Sequence, residues 1–96
     1  MAAYVIAELD ITDPAAYEEY RQRVPAVIAK YGGKYIVRGG AVESLEGGGR
    51  RPTRVAILEF PSMEHARNWY RSPEYAPLIE LRHRSSKSTL TLIEGI

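Results

Sequence analysis

Two glutamates, an arginine beside a glycine pair and a set of aromatic side chains at helical spacing carry the chemistry this sequence has to offer. Glu8 and Glu59 lie near the ends of two short runs rich in β-branched residues, 4–9 and 53–60. Read as the first and third strands of a sheet, these runs are expected to be parallel neighbours at its centre, so that their C-terminal ends coincide and the carboxylates approach. A close pair raises the pKa of one member, which provides an acid and a base near neutral pH. The competing reading pairs each glutamate with an arginine at the sheet rim. Arg38 precedes Gly39-Gly40, where missing side chains let a ligand or a second backbone come close. Its guanidinium suits a carboxylate or enolate held in a bidentate fork. Glu59 is an equally good partner for Arg38, either as an internal ion pair that fixes a hairpin or as part of a pocket wall.

Tyr17, Tyr20, Trp69, Tyr70 and Tyr75 form the aromatic group. Seven tyrosines against one phenylalanine is an unusual ratio for a pure core, because a buried phenol needs a hydrogen-bond partner. A cleft between a sheet and its helices would use these side chains as both wall and donor. Their helical spacing is equally that of ordinary core or dimer packing. His65 belongs to the first turn of a helix, and His83 sits in Arg82-His83-Arg84 near a helix C-terminus, where positive charge complements the dipole. Neither has metal-ligand spacing, there is no cysteine, and no metal or cofactor is expected, with only a lone axial histidine for haem left open. The run 47–51 is glycine-rich and basic, but it leads into a strand rather than a helix, so it lacks the anion site of nucleotide folds.

These residues must be positioned by short elements. Tyr4 to Leu9 reads as a strand with apolar residues on both faces. Asp13-Pro14 is a helix start, a carboxylate cap followed by a residue with no N–H to waste. The helix extends to about Tyr31, with Tyr17, Tyr20, Val24, Val27, Ile28 and Tyr31 as one stripe. Pro25 predicts a kink or a break, since it removes the bond to the Arg21 carbonyl. Gly32-Gly33 ends the helix. Lys34 to Arg38 is a second strand, expected to bulge or bend at Gly39-Gly40 and resume through Ala41 to Leu45. A flexible turn over 47–52 leads to a third strand, Thr53 to Phe60. Ser62 caps a helix carrying Met63, Ala66, Trp69 and Tyr70, and Ser72-Pro73 begins another covering Tyr75, Leu78, Ile79 and Leu81. Ser88 to Glu94 alternates as the last strand.

The order is βαββαβ, for which a ferredoxin-like α+β sandwich with a four-stranded antiparallel sheet is the natural solution. Ninety-six residues make one domain, 1–96, and a chain this short buries only about 60 to 65% of its unfolded surface. Helices cover one face of such a sheet, and strands apolar on both faces leave the other unprotected. A homodimer stacked sheet to sheet as an α/β barrel is the expected remedy. The net charge of +1 argues against a polyanion partner, and the third strand lacks the stacking aromatics of RNA-recognition modules that share this order. No apolar run exceeds the seven residues Met1 to Ala7, short of the roughly 18 a membrane span needs. No nucleic acid or membrane partner is expected, and the location expected is cytoplasmic.

Three strings, residues 31–40, 55–62 and 69–75, together with Asp13-Pro14, Tyr17, Tyr20 and the closing Glu94-Gly95, resemble the small bacterial family known as domain of unknown function 1330. The resemblance covers nearly the whole chain. It implies a dimeric α/β barrel in a superfamily that also holds cofactor-free monooxygenases, haem-degrading enzymes and muconolactone-type isomerases, and it brings no activity with it. Pro25, Pro77 and the triple-glycine turn depart from the pattern. Two functions remain in view. One is a homodimeric module binding a small apolar or acidic molecule in the sheet–helix cleft, lined by Tyr17, Tyr20, Arg38, Trp69 and Tyr75. The other is a cofactor-free monooxygenase- or isomerase-like enzyme for an aromatic or lactone substrate, with Arg38 stabilising an anion and Glu59 moving a proton.

Overall fold

A computed structural model describes residues 1–47 and 52–96. The elements run β1 (Ala3–Ile11), α1 (Pro14–Lys30), β2 (Lys34–Arg38), β3 (Arg54–Phe60), α2 (Met63–Tyr70), α3 (Ala76–Ser85) and β4 (Ser86–Glu94). The strands form one sheet in the order β2-β3-β1-β4, with every neighbouring pair antiparallel. This is the expected ferredoxin-like α+β sandwich. Most of the 47–52 turn lies outside the described residues.

Local chemistry sets the helix ends. Asp13 Oδ1 accepts from the Ala16 amide at 3.2 Å, and Pro14 occupies the first turn. At the other end Gly32, at φ 84°, turns the chain, while the Gly32 and Gly33 amides donate to the Ala29 and Ile28 carbonyls at 3.0 and 2.9 Å. That double bond is the closure that a left-handed residue after the last turn permits. α1 continues through Pro25 without a break. Ser72 does not open the third helix directly. Its Oγ accepts from the Tyr75 amide at 3.1 Å and donates to the Trp69 carbonyl at 2.8 Å. A turn is thereby fixed, and α3 starts only at Ala76, with Pro77 in the first turn, where no N–H is required.

One expectation for the hairpin is corrected: residues 41–45 form no strand. The chain bends at Gly39 as expected, while the irregularity in the β2–β3 ladder itself falls between Tyr35 and Val37. Gly39 makes the last bond to β3, its amide donating to the Val55 carbonyl at 2.9 Å. With φ at 70° it then turns the chain away, and the Arg54 guanidinium packs where a β-carbon would sit. The close approach foreseen at this glycine is made by an arginine of the same chain.

The sheet divides its residues by parity. Val5, Leu9, Ala56, Leu58 and Phe60 are buried against the helices, where Trp69, Tyr75, Val24, Ile28 and Leu78 complete the core. Tyr4, Ile6, Val55, Ile57 and Val37 lie on the other face, half-buried or exposed, with no element over them. Ile6 is registered against Ile57, and Ile57 against Val37, so the apolar residues form a continuous band across three strands.

Candidate functional site

The sheet–helix interior holds a chain of polar groups. Tyr20, on the inward stripe of α1, is 8% exposed, and its hydroxyl meets that of Tyr75 at 2.7 Å. Tyr75 Oη also accepts from Arg82 Nη1 at 2.9 Å, and Arg82 Nη2 donates to His83 Nε2 at 3.1 Å. Arg82 is 3% exposed although it is a cation. It reaches Tyr75 because seven residues are two helical turns, which places both on one face. The Trp69 ring lies 4.2 Å from that of Tyr75, centroid to centroid, and forms the wall beside the chain.

Burial, reinforced by the neighbouring Tyr75, pushes the Tyr20 phenol well above its usual value, and burial raises Tyr75 as well. Burial works against the Arg82 charge, yet the phenols of Tyr75 and Tyr20 outweigh it and leave the guanidinium above its ordinary value. Burial also holds Tyr35 at about 12. Both hydroxyls of the central pair therefore remain neutral hydrogen-bonding groups beside a permanent cation.

Around this chain lies a void of about 20 Å³, lined by Tyr17, Tyr20, Tyr35, Arg54, Trp69 and Arg82 among others. That is room for about one water molecule. A larger compartment of about 190 Å³ adjoins it between α2 and β4 and shares Val5, Trp69 and Leu90 as walls. No carboxylate lines either space. Three buried N–H groups on the lining side chains, Arg54 Nε, Trp69 Nε1 and Arg82 Nε, have no acceptor among the described residues.

Of the residues singled out from sequence, Tyr17, Tyr20 and Trp69 line the interior, and Tyr75 is bonded into it. Arg38 lies outside. Its guanidinium stacks 4.5 Å from the Tyr35 ring centroid, and Nη2 donates to the Arg21 carbonyl at 2.9 Å. Glu59 is elsewhere again, on the open sheet face, accepting from Tyr4 Oη at 3.3 Å and paired with Lys34 at 3.3 Å. Arg38 and Glu59 form no pair, because β2 and β3 are antiparallel, and the register sets Glu59 opposite Lys34 and Arg38 opposite Ala56.

The Glu8–Glu59 constellation is corrected on the same ground. β1 and β3 are antiparallel, with Glu59 opposite Tyr4 and Glu8 opposite Val55, which separates the carboxylates by about 14 Å along the strands at ~3.4 Å per residue. The β2–β3 hairpin reverses the chain, so the strand inserted beside β1 has to run against it. Arg82, Arg54 and Tyr35 were not singled out from sequence. The signal for Arg82 was an arginine in the stripe Tyr75, Leu78, Arg82, Ser85, three of whose members are apolar or small. Among the described residues no cluster of histidines and carboxylates is placed to hold a metal ion, and no helix is long and apolar enough to cross a membrane.

The family model described as Domain of unknown function (DUF1330) matches residues 2–96. The chain belongs to that family. No curated protein is significantly similar to this DUF1330 chain. Among solved structures, the protein of unknown function RPA0582 from Rhodopseudomonas palustris is similar at 20% identity and a TM-score of 0.77, over 99% of this chain and 82% of that one. A dimeric ferredoxin-like protein of unknown function from Jannaschia sp. CCS1 is 12% identical with a TM-score of 0.74, over 99% and 100% of the two chains. SnoaB, a cofactor-independent oxygenase from Streptomyces nogalater, is 14% identical with a TM-score of 0.67, over 99% and 93%. At these identities the likeness is one of fold.

Proposed function

We propose that this DUF1330 protein is a homodimeric binder of a small acidic molecule, held in the cleft between sheet and helices. The observation that carries the reading is the one-sided polarity of the cleft among the described residues: three N–H groups on lining residues without an acceptor, a buried arginine and no lining carboxylate. A buried donor without a partner costs about 1–3 kcal/mol. A ligand that brings acceptor oxygens removes that cost, and the aromatic and aliphatic walls take its apolar part. The void beside Arg82 admits only water, so the body of the ligand belongs in the adjoining compartment between α2 and β4. Dimerisation is supported by the uncovered apolar band through Ile6, Ile57 and Val37, and by the dimeric state of the Jannaschia protein of the same fold.

Native mass spectrometry of freshly purified protein tests both parts. The expected species is twice the 10.8 kDa chain carrying a small adduct that is released on denaturation. A bare monomer that no small organic acid stabilises against heat overturns the reading.

A catalytic reading stands second, favoured by the hydrogen-bonded line from Arg82 through Tyr75 to Tyr20 and by the oxygenase activity of SnoaB on the same fold. In that reading Arg82 rather than Arg38 faces the substrate anion, and Glu59, on the open face, takes no part. Oxygen consumption with aromatic phenols, abolished by Arg82→Gln and retained by Glu59→Gln, would put this reading first.

A further inference from the structure

The compartment between α2 and β4 has chemically distinct sides. Its strand side is aliphatic, with Val5, Leu90 and Leu92, and Trp69 and Ala66 of α2 continue that surface. Its helix side carries Arg67 and Arg71. These are one helical turn apart, so their guanidinium groups share one edge of the groove. Neither arginine makes an ion pair among the described residues, where the four pairs formed are Arg21–Glu18, Arg23–Glu19, Lys30–Glu74 and Lys34–Glu59. Trp69 also lines the groove; its side chain is 1% exposed, and its indole N–H has no acceptor among the described residues.

Size suits a small occupant. A cavity of about 150 Å³ accepts benzene, and the groove measures about 190 Å³, enough for one ring with a small substituent. Charge limits it further. Two guanidinium groups that pair with no carboxylate among the described residues match a ligand carboxylate in both sign and shape, and an aromatic body gains from the Trp69 ring beside it.

We propose that the groove between α2 and β4 binds a single-ring aromatic carboxylate, its ring against Trp69, Val5 and Leu92 and its carboxylate bridged by Arg67 and Arg71. This rests on the reading that the cleft holds a small acidic molecule, and it adds the ligand's class and seat.

Trp69 is the sole tryptophan of the chain, so its fluorescence reports on the groove directly. Benzoate is the probe, and benzyl alcohol, with the same ring and no charge, is the control. Benzoate is expected to give a saturable fluorescence change and to bind at least about tenfold more tightly than benzyl alcohol, a loss in keeping with removal of a charge-assisted contact. Arg67→Gln combined with Arg71→Gln is expected to erase that difference while leaving circular dichroism and oligomeric state unchanged, since both side chains are exposed.

Equal affinity for the two probes, or benzoate binding that survives the double substitution, overturns the proposal. If Arg82→Gln abolishes benzoate binding and the double variant retains it, the carboxylate sits in the interior and the seat proposed here is wrong, while the broader reading of the cleft holds. A small-molecule adduct in native mass spectrometry without any benzoate response likewise removes the ligand class alone. With no adduct and no response to any small acid, both fail together.

Discussion

Arg38 supplies from its side chain the hydrogen bond that the Arg21 carbonyl loses to proline. In a regular helix that carbonyl accepts from the amide four residues on, which is Pro25, a residue with no N–H. Arg38 Nη2 reaches the carbonyl at 2.9 Å while the guanidinium stacks on Tyr35. The helix runs on unbroken through Pro25, and Arg38 ties the sheet edge to α1.

The tie predicts a coupling. Arg38→Ala should lower stability by about 0.5–1.5 kcal/mol, the ordinary net worth of one hydrogen bond, at the lower end because the site is exposed. Pro25→Ala restores an amide at position 25, which competes for the same carbonyl. The cost of Arg38→Ala should therefore shrink in the Pro25→Ala background. A urea-denaturation double-mutant cycle measures this, and equal costs in both backgrounds would show that Arg38 acts through Tyr35 alone.

The open face of the sheet predicts an assembly that one charge can break. Ile57 is central to the apolar band, registered against Ile6 on one side and Val37 on the other. Ile57→Lys places an ammonium in the middle of any sheet-to-sheet contact, where it would be buried without a partner. Light scattering should give twice the chain mass for the parent protein and the monomer mass for the variant. An exposed residue away from the band, such as Glu64→Lys, should leave the dimer intact. A parent chain that is already monomeric would remove the barrel.

The buried phenols predict alkaline lability. Unfolded tyrosine titrates near pH ~10, whereas burial raises Tyr20 well above that and Tyr35 to about 12. The folded chain keeps protons that the unfolded chain releases, so the stability these groups contribute is complete below about pH 10 and declines as pH rises above it. For Tyr35 the decline falls between about 10 and about 12. Urea midpoints taken on either side of about pH 10 should drop on the alkaline side. Phenolate absorbance of the folded protein should show part of the seven tyrosines titrating only as the chain unfolds. Tyrosines that all titrate freely with the fold intact would contradict the burial of this cluster.

The element order was legible in the sequence because caps and glycines are local signals: Asp13-Pro14, Gly32-Gly33 and Ser62 each act within a few residues of themselves. The buried aromatic stripe was legible for a related reason, since helical periodicity records which face is covered. Strand direction was legible only in the element order. Glu8 and Glu59 each end an apolar run, and nothing in either run itself says that the chain reverses between them, but the hairpin in a four-stranded antiparallel sheet does, and the parallel placement of the two glutamates conflicts with it. The contact of Arg38 was not legible because its partner is a backbone carbonyl, which has no side-chain signature, even though Pro25 marked that carbonyl as vacant. Arg82 was hidden by its neighbours, as Arg82-His83-Arg84 resembles a charged helix end, and only its register with Tyr75 sends it inward.

That register makes Tyr75 the critical member of the polar chain. Its hydroxyl stands between the Tyr20 hydroxyl at 2.7 Å and Arg82 Nη1 at 2.9 Å. Tyr75→Phe removes both contacts and leaves a buried guanidinium with one fewer acceptor, on a side chain whose Nε already has none. The expected cost is about 1–3 kcal/mol, the penalty for an unsatisfied buried donor. Tyr20→Phe leaves the Tyr75–Arg82 bond in place and should cost about 0.5–1.5 kcal/mol. In the double variant Tyr20→Phe should add little, because the bond it would break is already gone, so the two costs should fall short of additivity. Denaturation of the two single variants and the double variant tests the order. A Tyr20→Phe cost equal to or above that of Tyr75→Phe would mean that Arg82 is satisfied by other groups and that the chain is not what holds the buried cation in place.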